Sequence, residues 1–176
     1  MGGSEDDFSA FVEARSEALF RTAYFLTGGD RHEAEDLLQD ALVDSFARWD
    51  TIRDLGAREA FVRRILVRKA TRRWRRPNRA EVIAADLPEK VHAGHEESVA
   101  ATQDFATALA RLSPRQRAVV VLRYYLDLSE ADIAETLGCS TGAVKTHASR
   151  ALRALGVALD ETTSTNTPAP TVREGS

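Results

Sequence analysis

Cysteine, long apolar runs and any recognisable catalytic cluster are what this sequence lacks. A single cysteine, Cys139, in 176 residues excludes an internal disulfide. No apolar run approaches the roughly 20 residues that a bilayer-spanning helix needs, so no membrane insertion is expected. The first residues, "MGGSEDDF", are acidic and carry no apolar h-region. No secretory signal is therefore expected, and with one thiol the chain is expected in the cytoplasm. Val, Ile, Tyr and Phe are sparse over the first 50 positions beside many Ala, Leu, Glu, Asp and Arg, a balance that favours helices. There is no Gly-rich phosphate loop and no serine-elbow motif. The four histidines, His32, His92, His95 and His147, are scattered. "HAGHEE" (92–97) sets His92 and His95 three apart before Glu96, without a further ligand cluster and without the order of helical zinc-protease motifs. No metal, no cofactor and no enzymatic activity are expected.

An excess of positive charge is missing too. The net charge is −3 and the pI about 5.8, whereas proteins that hold DNA unaided are usually basic, because phosphate neutralisation supplies most of the affinity. The average conceals a strong segregation. Residues 1–60 carry 6 basic and 14 acidic side chains; residues 61–80 carry 9 basic and none acidic. Residues 81–104 are acidic again, at net −5. Such a division implies two kinds of partner surface, one of them polyanionic.

Helical spacing organises the chain. Phe8, Phe11, Val12, Leu19, Ala23 and Leu26 follow it up to Gly28-Gly29, a C-terminal stop. Asp30 with Glu33 is an N-terminal start signal. Ala34, Leu37, Leu38, Ala41, Leu42, Ser45 and Trp49 then form one face, with Asp36, Asp40 and Asp44 at four-residue steps beside it. After a loop at 50–58, a third helix is expected over 59–76, ended by Pro77. Phe61, Val62, Ile65, Leu66 and Ala70 give it an apolar face. Beyond Arg68, the basic residues Lys69, Arg72, Arg73, Arg75 and Arg76 surround the circumference. Charge on every side is incompatible with burial, so this half is expected to project from its core. Residues 77–103 read as an acidic linker, and the tail 158–176, rich in Thr and Pro, as disordered.

The second unit, 104–157, contains the most specific motif. Ser113-Pro114-Arg115-Gln116 is a capped helix start. Ser129 and Ser140 open two further helices around Gly138, and Ala134, Gly138 and Val144 carry the spacing of a helix-turn-helix. The small Ala134 allows close approach, Gly138 permits a positive φ, and Val144 plugs the interface. The second helix turns Thr141, Lys145, Thr146, Ser149 and Arg150 outward, and no acidic residue occurs between Glu135 and Asp160. About 15 residues at 1.5 Å each make a rod that fits a major groove. A plain hairpin with a solvated basic face is the alternative, but packing alone does not explain an acid-free outer face. The Arg-rich helix with Trp74 suits a nucleic-acid backbone and exposed bases; read alone it could be a solvated charge run. Read alone, the acidic stripe is a solvated helix face that permits a basic partner.

Together these residues resemble the extracytoplasmic-function sigma factors of the sigma-70 family. "AEDLLQDALVDSFARW" (34–49) is similar to region 2.1–2.2, and "REAFVRRILVRKATRRWRR" (58–76) to regions 2.3–2.4. "LARLSPRQRAVVVLRYYLDLSEADIAETLGCSTGAVKTHASRALRAL" (109–155) is similar to region 4.1–4.2. The resemblance implies an all-α protein of two small helical domains: region 2 at 8–76 and a region 4 helix-turn-helix at 104–157, joined by the flexible linker 77–103. It implies binding to core RNA polymerase through the β′ clamp helices and β flap, with promoter DNA as the second partner. An anti-sigma factor is a common third partner in the family. Asp36, Gln39 and Asp40 match the positions that grip the clamp helices. Arg63, Arg64, Arg68, Arg72, Arg73 and Trp74 lie on the helix that serves the −10 element. Lys145, Thr146, Ser149 and Arg150, with Thr141, match the face that reads the −35 element. Relatives commonly carry Asn near Arg68, so their base preference is not carried over. The other candidate is a stand-alone regulator of the LuxR type, which ends in a similar helix-turn-helix but binds specific DNA alone, as a dimer.

Overall fold

The structure, a computed structural model, describes residues 2–52, 54–74 and 96–156, and every regular element among them is helical. The first unit is built from α1 (Gly2–Leu26), α2 (Arg31–Phe46) and α3 (Leu55–Trp74), with a 3-10 turn at Trp49–Thr51. The second is built from α4 (Glu96–Ala110), α5 (Pro114–Val120), α6 (Glu130–Leu137) and α7 (Thr141–Ala154), with a π-helical turn at Val121–Tyr125 between α5 and α6.

Local chemistry sets most of the boundaries. α1 stops where Gly28 and Gly29 take φ of 72° and 91°, a region that side chains with a Cβ avoid. The Asp30 carboxylate accepts from the Glu33 amide at 2.9 Å and caps α2. Ser113 and Gln116 form a reciprocal capping box at the start of α5, with Pro114 in the first turn. Ser129 and Ser140 cap α6 and α7.

Two starts differ from the expectation. α3 begins at Leu55, inside the segment read as a loop, where Asp54 accepts from the Gly56 amide at 3.0 Å. α4 begins at Glu96, inside the segment read as linker. Ala106 and Leu109 on its inner face are buried, and Val99 and Thr102 continue that face backward at helical steps. The rest of the expected linker, Arg75 and Arg76 with the "HAGHEE" histidines, and the tail beyond 156 lie outside the described residues.

Trp49 anchors the first unit at one end. It is 1% exposed, packs edge-on to Phe8 and tilted to Phe11, each at 4.8 Å, and donates from Nε1 to Asp7 at 3.3 Å. The Arg58 guanidinium sits 4.7 Å over its ring and pairs with Asp7. The start of α1 is thus tied to the start of α3.

The main core is shared. One cluster of buried side chains runs from Ala23, Leu26, Leu37 and Leu66 of the first unit to Leu109, Val119, Ile133 and Val144 of the second. The Phe25 ring meets Phe105 at 4.9 Å and Tyr125 at 4.8 Å, both edge-on. The two units expected from the sequence are both present, and they are docked.

Candidate nucleic-acid and partner interfaces

Three surfaces carry the candidate residues. The first is the outer face of α7. Gly138 takes φ +63° at the end of α6, and the Cys139 amide returns to Ala134 O at 3.0 Å. This closes the turn through the carbonyls that a helix end leaves free. Val144, Ala148 and Ala151 face inward and are buried. Thr141, Lys145, Thr146 and Arg150 stand exposed on the opposite side, whereas Ser149 is half-buried. Lys145 lies 3.5 Å from Glu130, which also accepts from Arg123 at 2.9 Å. The Thr146 hydroxyl donates back to Gly142 O at 3.0 Å. His147 is not on this face. It turns toward Thr71, Trp74 and Arg115. Burial first, and then the neighbouring Arg115 and Arg150 charges, hold its pKa below the ordinary imidazole value.

The second surface is α3. Its apolar side, Val62, Leu66, Val67 and Ala70, is buried. The expectation that the C-terminal half stands clear of the core is not met as far as Trp74, which is half-buried and packs against the cluster. Two of the charges around that half are balanced inside the chain instead. Lys69 reaches Asp44 at 2.7 Å, and Arg73 Nη2 donates to Asp40 at 2.7 Å. Arg63 pairs with Glu59, and Arg64 lies 4.0 Å from Glu135 of α6. Arg68 and Arg72 are exposed, and they line a cavity with Glu135 and Leu137.

The third surface is the outer side of α2. Asp36, Gln39 and Asp40 are all exposed. The acidic stripe is not simply solvated, since two of its three aspartates bind cations of α3. Beside Gln39 lies an apolar groove that the periodicity did not reveal, lined by Phe8, Leu38, Leu42, Val43 and Phe46, with Glu35 at its rim. Val43 and Phe46 are 65% and 47% exposed. They fall outside the buried stripe, and two large apolar side chains on a polar face were the available signal. Among the described residues, no group of His, Cys, Asp and Glu could hold a metal ion, and no helix is long and apolar enough to cross a membrane.

The helices described above fall within two known sequence families. Residues 11–80 match the model of Sigma-70 region 2, and residues 102–155 that of Sigma-70, region 4. The chain is 38% identical over 149 residues to the RNA polymerase sigma-E factor of Streptomyces coelicolor, covering 85% of this chain and 84% of that protein. It is 32% identical over 162 residues to the ECF RNA polymerase sigma factor SigL of Mycobacterium tuberculosis, covering 86% and 88%. Its backbone is similar to the sigma factor RpoE of Bartonella quintana, solved with the anti-sigma factor NepR. That match has a TM-score of 0.58 and 27% identity, over 85% of this chain and 94% of that one.

Proposed function

The chain belongs to the sigma-70 family of RNA polymerase sigma factors, in its extracytoplasmic-function group, and from that premise we propose how its two units share promoter recognition. As an alternative sigma factor it binds core RNA polymerase and directs initiation at promoters bearing −35 and −10 elements. The stand-alone regulator falls away, because the all-helical first unit matches Sigma-70 region 2. Residues 104–157 form the −35 unit, 8–76 the polymerase and −10 unit, and 77–103 the connection between them. Catalysis stays with the polymerase, and the work is cytoplasmic.

Thr141, Lys145, Thr146 and Arg150 read the −35 major groove, with Ser149 at the edge of the contact. Arg150 is suited to a bidentate base contact and Lys145 to a phosphate. Arg63, Arg64, Arg68, Arg72 and Arg73 follow the backbone of the opened −10 region, and Trp74 offers a ring to stack on. Asp36, Gln39 and Asp40 engage the β′ clamp helices, and the groove beside Gln39 receives an apolar side chain of the same partner. The β flap engages the second unit. An anti-sigma factor is a third partner, by analogy with the Bartonella quintana protein.

The observation that carries this reading is the exposed, acid-free face of α7 beside a chain of net negative charge. Such a face reads DNA only when another body supplies the bulk of the phosphate contacts. Transcription of fragmented genomic DNA by core polymerase, with and without the protein, tests it. New start sites sharing −35 and −10 motifs are expected. Specific DNA binding by the protein alone, with no new starts, would overturn it.

A further inference from the structure

We propose that Glu130 sets how tightly the chain holds DNA: it is an internal counter-ion to Lys145, which a phosphate must displace. The proposal rests on the outer face of α7 meeting the −35 groove. It adds an acid of α6 that limits the strength of that contact on every sequence alike.

Glu130 lies between two cations from different elements. It is the first residue of α6, directly after the N-cap Ser129, where the helix dipole favours a negative side chain. Arg123 of the π-helical turn donates from Nη1 to Glu130 Oε1 at 2.9 Å. Lys145 Nζ of α7 lies 3.5 Å from Oε2. Each carboxylate oxygen thus faces a different cation. Local folding brings Arg123 there: the Leu128 amide returns to Leu122 O at 3.0 Å and Asp127 takes φ +53°, so the chain doubles back before α6.

The two cations are not held alike. The side chains of Arg123 and Glu130 are 30% and 28% exposed, whereas that of Lys145 is 68% exposed. Arg123 also lies 5.6 Å over the Tyr124 ring. Its contact with Glu130 is the closer and the drier, so Arg123 is the fixed partner and Lys145 the one free to leave. When Lys145 turns to a phosphate, Glu130 keeps Arg123, and no unpaired carboxylate faces the DNA. The exchange still costs affinity. A lysine adds to DNA binding by neutralising a phosphate and releasing the counter-ions condensed on it. Lys145 already has a carboxylate beside it, and the phosphate gains only the difference. Among the described residues this is the only ion pair that α7 makes, so the one acid against its outer face comes from α6.

The test uses the holoenzyme, the full chain with core polymerase, on two fluorescent duplexes. One carries the −35 element found by start-site mapping, and the other has that element scrambled. Affinity is read by anisotropy over a series of salt concentrations. Glu130→Gln keeps the shape and the hydrogen bond from Arg123 and removes the charge. It is expected to bind both duplexes at least threefold tighter, by the same factor. Its log–log salt slope is expected to steepen by about 0.9, the value of one phosphate contact. Asp132→Asn removes an acid from the same turn of α6, where it bonds Ser129, and is expected to change neither quantity. In a Lys145→Ala background the gain from Glu130→Gln is expected to shrink. A gain of the same size there, or the same gain from Asp132→Asn, would assign the effect to net charge and overturn the pairing. No tightening, no steeper slope, or a gain confined to one duplex also overturns it. Lys145→Ala by itself separates the causes of a failure. If it weakens binding while Glu130→Gln changes nothing, only the counter-ion has failed. If it changes nothing either, the −35 role of Lys145 fails with it.

Discussion

Arg150 is the residue on which −35 reading is most exposed to test. It stands on the open face of α7, and among the described residues no acid pairs with it. Arg150→Ala is expected to cost about 1–3 kcal/mol of discrimination between the cognate −35 sequence and its single-base variants. Equal loss on every sequence, measured by competition binding with the holoenzyme, would make it a phosphate contact. Asp40 has two roles in prospect, one visible and one proposed. It accepts from Arg73 at 2.7 Å, yet its side chain is 54% exposed, and exposed pairs contribute about 0–1 kcal/mol. Asp40→Arg is therefore expected to abolish co-elution with core polymerase while barely moving the melting temperature. Retained co-elution would remove Asp40 from the interface. At this scale the sequence was informative wherever one helix decides orientation: spacing alone puts Val144, Ala148 and Ala151 on one face and Lys145 off it. It was silent on Asp40 meeting Arg73, thirty-three residues away.

The helices end and begin where side chains satisfy the backbone. Ser113 is the clearest case: its hydroxyl accepts from the Gln116 backbone amide, and the Gln116 side-chain oxygen accepts from the Ser113 amide, across the first turn of α5. Ser113→Ala is expected to cost about 1 kcal/mol and to lower the melting temperature by roughly 2–4 °C for a chain of this size. No shift in a thermal scan would show that the cap is redundant with the packing of α5. Gly138 tests the helix-turn-helix separately. A Cβ there meets nothing within 4 Å, but φ is +63°, so Gly138→Ala suffers only the left-handed strain, about 1–2 kcal/mol. A neutral result in urea titration would mean that the turn relaxes. Caps and glycine turns were legible because each is a contact within four residues. The start of α3 was not, because Gly56 disfavours a helix and Arg58 of its first turn docks on the buried Trp49.

His147 ties the stability of the whole molecule to pH. It lies where α7 meets Thr71 and Trp74 of α3, and the charged groups around it, Arg115 and Arg150, are both cationic. Its folded pKa is below the unfolded value of about 6.5. Above that pH both states are neutral at this residue and stability does not depend on it. As pH falls below about 6.5 the unfolded chain takes up the proton first, and stability is lost progressively until the folded pKa is passed. Urea midpoints are expected to be level between pH 8 and 7 and to fall toward pH 5.5, with a weaker fall in His147→Gln. An identical slope in both proteins would assign the loss to other groups.

The sequence by itself determined the helical class, the caps, the helix-turn-helix and the division of charge. Each follows from residues close in the chain, where a 3.6-residue period or a single φ decides the outcome. Tertiary structure alone decided that the acidic stripe of α2 pairs with Lys69 and Arg73 of the basic helix, that Val43 and Phe46 stay uncovered, and that Arg117 crosses from one unit to the other. Those facts depend on which surfaces meet. A guanidinium 91 residues from the carbonyl it binds leaves no periodic trace, because the partner is a backbone atom that every residue possesses.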